Sequence, residues 1–182
     1  MSELLAAVYR GDEARVEEIL AAGPELDIFE AAAVGRSDRI GELLDADHGQ
    51  VSSWSEDGFT PLHLAAFFRH PETARLLVDR GALIDVLARN EQLRVTPLQS
   101  AAAAREEETA ALLLERGADP NAQQRGGFTA LHAAAQNGDD PLVALLLARG
   151  ADPALAAEDG RTAANMARDA GHAELAARLA SG

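Results

Sequence analysis

The chain repeats itself. GFTPLHLAAFFRHPETARLLVDRGA begins at Gly58, RVTPLQSAAAAREEETAALLLERGA at Arg94 and GFTALHAAAQNGDDPLVALLLARGA at Gly127, offsets of 36 and 33 residues. A fourth copy, GRTAANMARDAGHAELAARLASG, starts 33 residues later at Gly160. Repetition at this period means an array of supersecondary units, none of which can bury its apolar side alone. The core is then a seam along the stack rather than a ball, and copies at the ends are expected to be atypical.

Within each copy the spacing is helical. In the third, Thr60 can cap a helix, and Pro61 suits the first helical position, where its missing N–H would be unpaired anyway. Leu62, Ala65 and Ala66 form one apolar face. His70-Pro71 restarts the chain into a second helix, in which Ala74, Leu77 and Val78 keep the apolar spacing. Gly81 ends that helix, with a positive φ expected. The segment from there to the next Thr-Pro carries turn residues and reads as a hairpin-like loop. Weaker copies lie upstream. Ile28 to Leu44 contains Ala31-Ala32, Gly35, Ile40 and Leu43-Leu44, and Leu4 to Leu20 contains Gly11, Val16, Ile19 and Leu20. A twelve-residue step recurs from Gly11 to Gly23, Arg69 to Gly81, Arg105 to Gly117 and Gly138 to Gly150. We therefore expect one domain of six helix pairs, at approximately 1–24, 25–54, 55–88, 89–122, 123–155 and 156–182.

TPLHLAA at Thr60–Ala66, TALHAAA at Thr129–Ala135 and LLLERGADPNA at Leu112–Ala122 resemble the ankyrin repeat. The likeness is strong in repeats three to five, partial in two and six, and weakest in one. It implies an all-α, ankyrin-like solenoid of about six helix-turn-helix repeats with projecting hairpin loops, similar to small stand-alone bacterial proteins of this kind. It also implies binding of proteins through the loops and the concave first-helix surface rather than catalysis. Under the same resemblance Thr60, His63, Thr96, Thr129 and His132 are structural, with the histidines hydrogen-bonding backbone between neighbouring repeats. Gln99 and Asn165 stand at the histidine offset and can also hydrogen-bond. Two departures stand out. Arg69 and Arg105 occupy a position that is Gly in repeats two, five and six. The loop from Gly81 to Thr96 spans 15 steps, against 12 from Gly117 to Thr129. Its extra residues fall within Ala88 to Arg94, and it lacks the Asp-Gly tip of Asp57-Gly58 and Asp159-Gly160.

Charge and composition narrow the function. There are 30 acidic residues against 16 basic ones, a net charge of −14. A polyanion is repelled by nucleic acid and by anionic membranes, so neither is an expected partner, and a basic one is favoured. Without cysteine there is no disulfide framework, thiol nucleophile or thiolate zinc site. No stretch approaches the ~20 apolar residues of a membrane span. Met1-Ser2-Glu3-Leu4-Leu5 lacks the basic start of a signal peptide, and a cytoplasmic location is expected. No histidine pair has i, i+4 spacing with carboxylate support, so no metal and no cofactor is expected. No Ser sits in a Gly-x-Ser-x-Gly elbow, and no Gly-Lys-Ser/Thr follows Gly126-Gly127, so no catalytic residue is assigned. The acidic runs Glu106-Glu107-Glu108 and Asp139-Asp140 fall at second-helix starts, where the helix dipole favours them, and are expected to be solvated. His70 and His172, which open second helices, are expected to be exposed.

The aromatic residues point to a binding surface. Phe67 and Phe68 stand where other repeats have Ala33-Val34, Ala103-Ala104, Gln136-Asn137 and Asp169-Ala170. The resemblance places this position on the inner first-helix surface. Successive helical residues point about 100° apart, so one phenylalanine packs inward while the other stays open. Phe59 and Phe128 lie near finger bases, Trp54 precedes the third repeat, and Arg94 and Arg125 sit near finger tips. The expected partner-binding set is Phe67, Phe68, Trp54, Phe59, Arg94, Arg125, Phe128, Gln136 and Asn137. The expected function is a protein–protein interaction scaffold or adaptor for an unknown protein partner, acting as a monomer or weak homodimer. The alternative is an acidic regulatory inhibitor that mimics a polyanion for a basic partner through its second-helix face. A small enzyme is the third reading.

Overall fold

The structure, a computed structural model, describes residues 1–181. Among them twelve helices follow in pairs: α1 (Glu3–Arg10) and α2 (Glu13–Ala21), α3 (Ile28–Ala33) and α4 (Ser37–Ala46), α5 (Pro61–Phe67) and α6 (Pro71–Asp79), α7 (Pro97–Ala104) and α8 (Glu107–Glu115), α9 (Ala130–Asn137) and α10 (Asp140–Ala148), α11 (Ala163–Asp169) and α12 (Ala173–Ser181). A 3-10 turn, His48–Ser52, follows α4. Gly182, at the end of the expected 156–182 repeat, lies outside the described residues. The first helices pack in sequence from α1 to α11, and α4, α6, α8 and α10 form an outer row. The described residues form no named strand. The fingers between pairs hold one isolated bridge, Ala156–Thr162, so turns rather than ladders shape them.

The sequence folds this way because each first helix is fixed at its start and shaved to small residues where it meets its neighbours. Thr60, Thr96 and Thr162 accept the N–H of the residue three positions on, and that residue's side chain reaches back to the Thr N–H, a reciprocal cap. Pro61 and Pro97 open α5 and α7. Ala65, Ala66, Ala101, Ala102, Ala134 and Ala135 are fully buried, and with no side chain beyond Cβ they let successive helices approach closely. Leu62, Leu98 and Leu131 fill the seam from the first helices, and Leu77, Leu113 and Leu146 from the second. Gly81 ends α6 at φ 87°.

From the third repeat on, buried polar groups tie each repeat to the next. His63 Nδ1 accepts the Thr60 N–H at 3.3 Å, and its Nε2 lies 2.9 Å from the Val95 carbonyl. A carbonyl only accepts, so the proton sits on Nε2 and the ring is neutral. Burial is the main cause that lowers its pKa, to about 4, against the opposing pull of backbone hydrogen bonds. His132 repeats the arrangement between Thr129 and the Arg161 carbonyl. Gln99 does the same work without titrating. Its oxygen accepts from Thr96 N at 2.8 Å, and its amide donates to Ala122 O and Phe128 O.

The turns between paired helices correct two expectations. His70 and His172 are half-buried, not exposed. The His70 ring lies against Gly35, which has φ 71°, and donates from Nε2 to the Ala33 carbonyl at 2.9 Å. A Cβ on Gly35 would sit 2.5 Å from His70 Nδ1. His172 covers Gly138 in the same manner. The acidic runs are likewise not wholly solvated, because Glu106 and Asp139 are buried. Each faces an arginine from the preceding turn, Arg69 at 3.3 Å and Arg105 at 3.9 Å. Those arginines hold φ of 63° and 58°, a left-handed conformation that costs about 1–2 kcal/mol for a residue with Cβ. From the second repeat on, the stack thus pairs a turn residue with the second-helix start of the next repeat: Gly with His, or Arg with an acid.

Candidate protein-binding site

Where repeats three and four meet on the first-helix side, the chain forms an apolar slot of about 290 Å3. Phe67, at the end of α5, is 45% exposed and forms one wall. Tyr9, from α1, forms a second. Leu93, from the long finger, is 56% exposed and forms a third. Tyr9 stands two residues before the turn at Gly11, as Phe67 stands two before Arg69, so both belong to one register of the stack. Between them the same register holds Ala33, small and buried. The Tyr9 ring therefore reaches past repeat two and meets Phe68 edge-on, with centroids 5.2 Å apart.

Tyr9 is fixed at its far end. Its hydroxyl donates to Asp57 Oδ2 at 2.7 Å. Burial first, then this bond, hold the phenol well above its ordinary pKa, so the hydroxyl stays protonated. The N-terminal amine pairs with Glu56 beside it. The polar groups in the slot are engaged within the fold. Both His63 ring nitrogens and the Gln99 amide are occupied as described, and Ser100 donates to Thr96 O at 3.2 Å. What remains for an occupant is apolar surface: Leu64, Val95 and Ala103 between the three walls.

The long finger is shaped by its own asparagine. Asn90 Oδ1 accepts from the N–H groups of Gln92 and Leu93, both at 3.0 Å, an Asx turn that presents Leu93. Neighbours clamp it on both sides. Arg89 lies over Trp54, 4.3 Å from the ring centroid, and Arg89 N donates to Gly58 O. Arg125 donates to the Glu91 carbonyl at 2.6 Å.

The residues singled out in the sequence thus occupy several places. Phe67 and Phe59 line the slot. Phe68 packs on the core behind it. Trp54 and Arg125 hold the long finger. Phe128 stacks edge-on against His132 at 5.6 Å, with Arg161 above it. Asn137 donates to the carbonyls of Ala102 and Ala103. Gln136 is exposed in the Phe67 register, and Arg94 is exposed outside the slot. Tyr9 and Leu93 were not singled out. Carrying the Phe67 register two copies upstream, past Ala33, reaches Tyr9, and a lone leucine in Glu91-Gln92-Leu93-Arg94 is conspicuous in a charged loop.

A family model described as ankyrin repeats (3 copies) matches residues 4–124. The chain is an ankyrin repeat protein. A second model of ankyrin repeats (many copies) matches residues 113–167. Among curated proteins, the human DNA-binding protein RFXANK is 36% identical over 83 residues, which cover 46% of this chain and 31% of that protein. The match therefore spans under a third of that relative. Ankyrin repeats generally serve as protein-interaction modules.

The outer face of this ankyrin stack is built differently from the slot. Arg80 pairs with Asp45, Arg116 with Asp79 and Arg149 with Glu115, each arginine reaching back one repeat. Arg75–Glu108 and Arg178–Asp140 add further rungs. Much of the second-helix acidity is matched by arginine in place. Among the described residues no helix is long and apolar enough to cross a membrane.

Proposed function

We propose that this ankyrin repeat protein is an interaction scaffold that receives an apolar side chain of a protein partner in the Tyr9–Phe67–Leu93 slot. One observation carries the reading. Of the six large apolar side chains exposed among the described residues, three converge on this single cleft. Scattered exposed apolar residues are ordinary, whereas a converging set marks a contact site. The walls are held in advance by the Tyr9–Asp57 bond and the Asx turn at Asn90, which lowers the ordering cost of association. Burying one Leu- or Phe-sized side chain there contributes about 1.5–3 kcal/mol.

The polyanion-mimic alternative gains no support from an outer face whose carboxylates are so often paired with arginine. The net charge of −14 also argues against extending DNA binding from the relative to this chain. The test is affinity capture from the source cells with the wild-type chain, Phe67→Ser and Leu93→Ser. Both replaced side chains are substantially exposed, so the fold survives, and circular dichroism checks this. We expect each substitution to remove the captured protein. Undiminished capture by both would refute the slot.

A further inference from the structure

A second cleft, of about 410 Å3, lies across the Tyr9–Phe68 pair from the slot, between α2 and the turn that joins α5 to α6. Its floor is apolar, with Val8, Val16, Leu20 and Phe68, all only half-covered. No residue of α2 is fully buried, unlike the five other second helices, so Val16, Ile19 and Leu20 pack against the core on one side and leave an apolar stripe only half-covered on the other. Three carboxylates line the cleft, Asp12, Glu13 and Glu17, and no lysine or arginine does. Glu13 and Glu17, one helical turn apart, are exposed, and neither has an ion-pair partner among the described residues. The nearby Arg15 is spent on Glu3 and Glu18.

The wider surroundings reinforce this charge. Residues 1–60 carry 14 acidic and 4 basic side chains, net −10 of the whole chain's −14. Such a field steers a cation towards this end of the stack.

We propose that the cleft between α2 and the α5–α6 turn docks a protein segment in which an apolar side chain is flanked by lysine or arginine. The apolar residue covers Val16, Leu20 and Phe68, while the cations meet Glu13 and Glu17. This site is independent of the slot, whose residues it does not share.

The experiment titrates the full, isotope-labelled chain with a 12-residue Lys/Leu peptide patterned at helical spacing, with a Glu/Leu peptide of the same pattern as control. Three forms are compared: wild type, Glu13→Gln/Glu17→Gln, and Glu107→Gln/Glu174→Gln, which removes the same charge from exposed positions elsewhere. We expect the Lys/Leu peptide to shift the amide signals of Val16 and Phe68. The first variant should bind it about fivefold more weakly at low salt, and the second like wild type. Equal weakening of both variants would reduce the effect to bulk charge and overturn the proposal. So would shifts centred on Leu93, binding of the Glu/Leu peptide, or wild-type self-association through α2 in light scattering. Leu93→Ser, at a slot residue outside this cleft, leaves this result unchanged, so the two sites fail separately.

Discussion

Repeats three and four share a backbone and differ in chemistry. The third uses two neutral histidines: His63 bonds forward to Val95 O, and His70 bonds back to Ala33 O over Gly35. The fourth has neither. Gln99 bonds forward to Ala122 O and Phe128 O, and Glu106 faces back to Arg69. The geometric demand is the same in both, that a buried polar group in one unit must find a partner in the next. The ring solution fits tightly and leaves no room for a side chain on the opposing turn. The arginine–acid solution spans the gap with a long flexible side chain and accepts backbone strain at Arg69. One junction is steric and sensitive to protons, the other tolerant and ionic.

The largest expected effect is at the steric junction. Gly35→Ala puts a Cβ into the His70 ring at a left-handed φ, and should cost about 3 kcal/mol in denaturant unfolding. The double variant with His70→Ala should recover at least about 1 kcal/mol of that. Strictly additive losses would mean that the ring contact is immaterial.

Acid sharpens the same contrast. The folded pKa of His63 lies below its ordinary value of 6.5, at about 4, so the folded state binds fewer protons than the unfolded one. The stability this represents is fully present above pH 6.5 and is lost as pH falls towards 4, roughly 3 kcal/mol in all. His70 and His132 are shifted down by burial in the same sense. His63→Gln, which imports the fourth repeat's solution, should flatten the stability profile between pH 6.5 and 4. An unchanged profile would show that the buried ring does not titrate with folding.

Smaller effects are expected where the junction is ionic. Arg105→Gly relieves the strained φ and gives up an ion pair whose arginine is 58% exposed, so stability should stay within about 1 kcal/mol of wild type. Arg116→Ala removes one outer rung and should cost no more than about 0.5 kcal/mol, less in high salt.

Most of the architecture was legible because periodicity encodes it directly. The Thr-Pro caps, the alanine pairs and the stop at Gly81 each have one local cause, and each is visible in a single copy. The junctions were less legible because they are relations between copies. Gly35 faces a residue 35 positions on, and only aligning each turn with the next repeat's second-helix start exposes the Gly–His and Arg–acid pairing. That is why His70 and Glu106 read as surface residues. The slot was half legible. Phe67 announced itself, but Tyr9 belongs to the most divergent repeat, and Leu93 is presented by an Asx turn whose geometry depends on Asn90. Trp54 and Arg125 read as contact residues because aromatic and arginine side chains often are; that they also brace a finger depends on contacts with Arg89 and the Glu91 carbonyl, which no single copy displays.

The most direct measurement places a photo-reactive phenylalanine analogue at position 67 in one sample and at position 116 in another, and irradiates both in the source cells. Position 67 opens on the slot, and position 116 lies on the outer ion-pair face. Docking in the slot requires a discrete protein adduct from position 67 that Leu93→Ser abolishes, and none from position 116. An adduct from position 116 alone, or one from position 67 indifferent to Leu93, would contradict it.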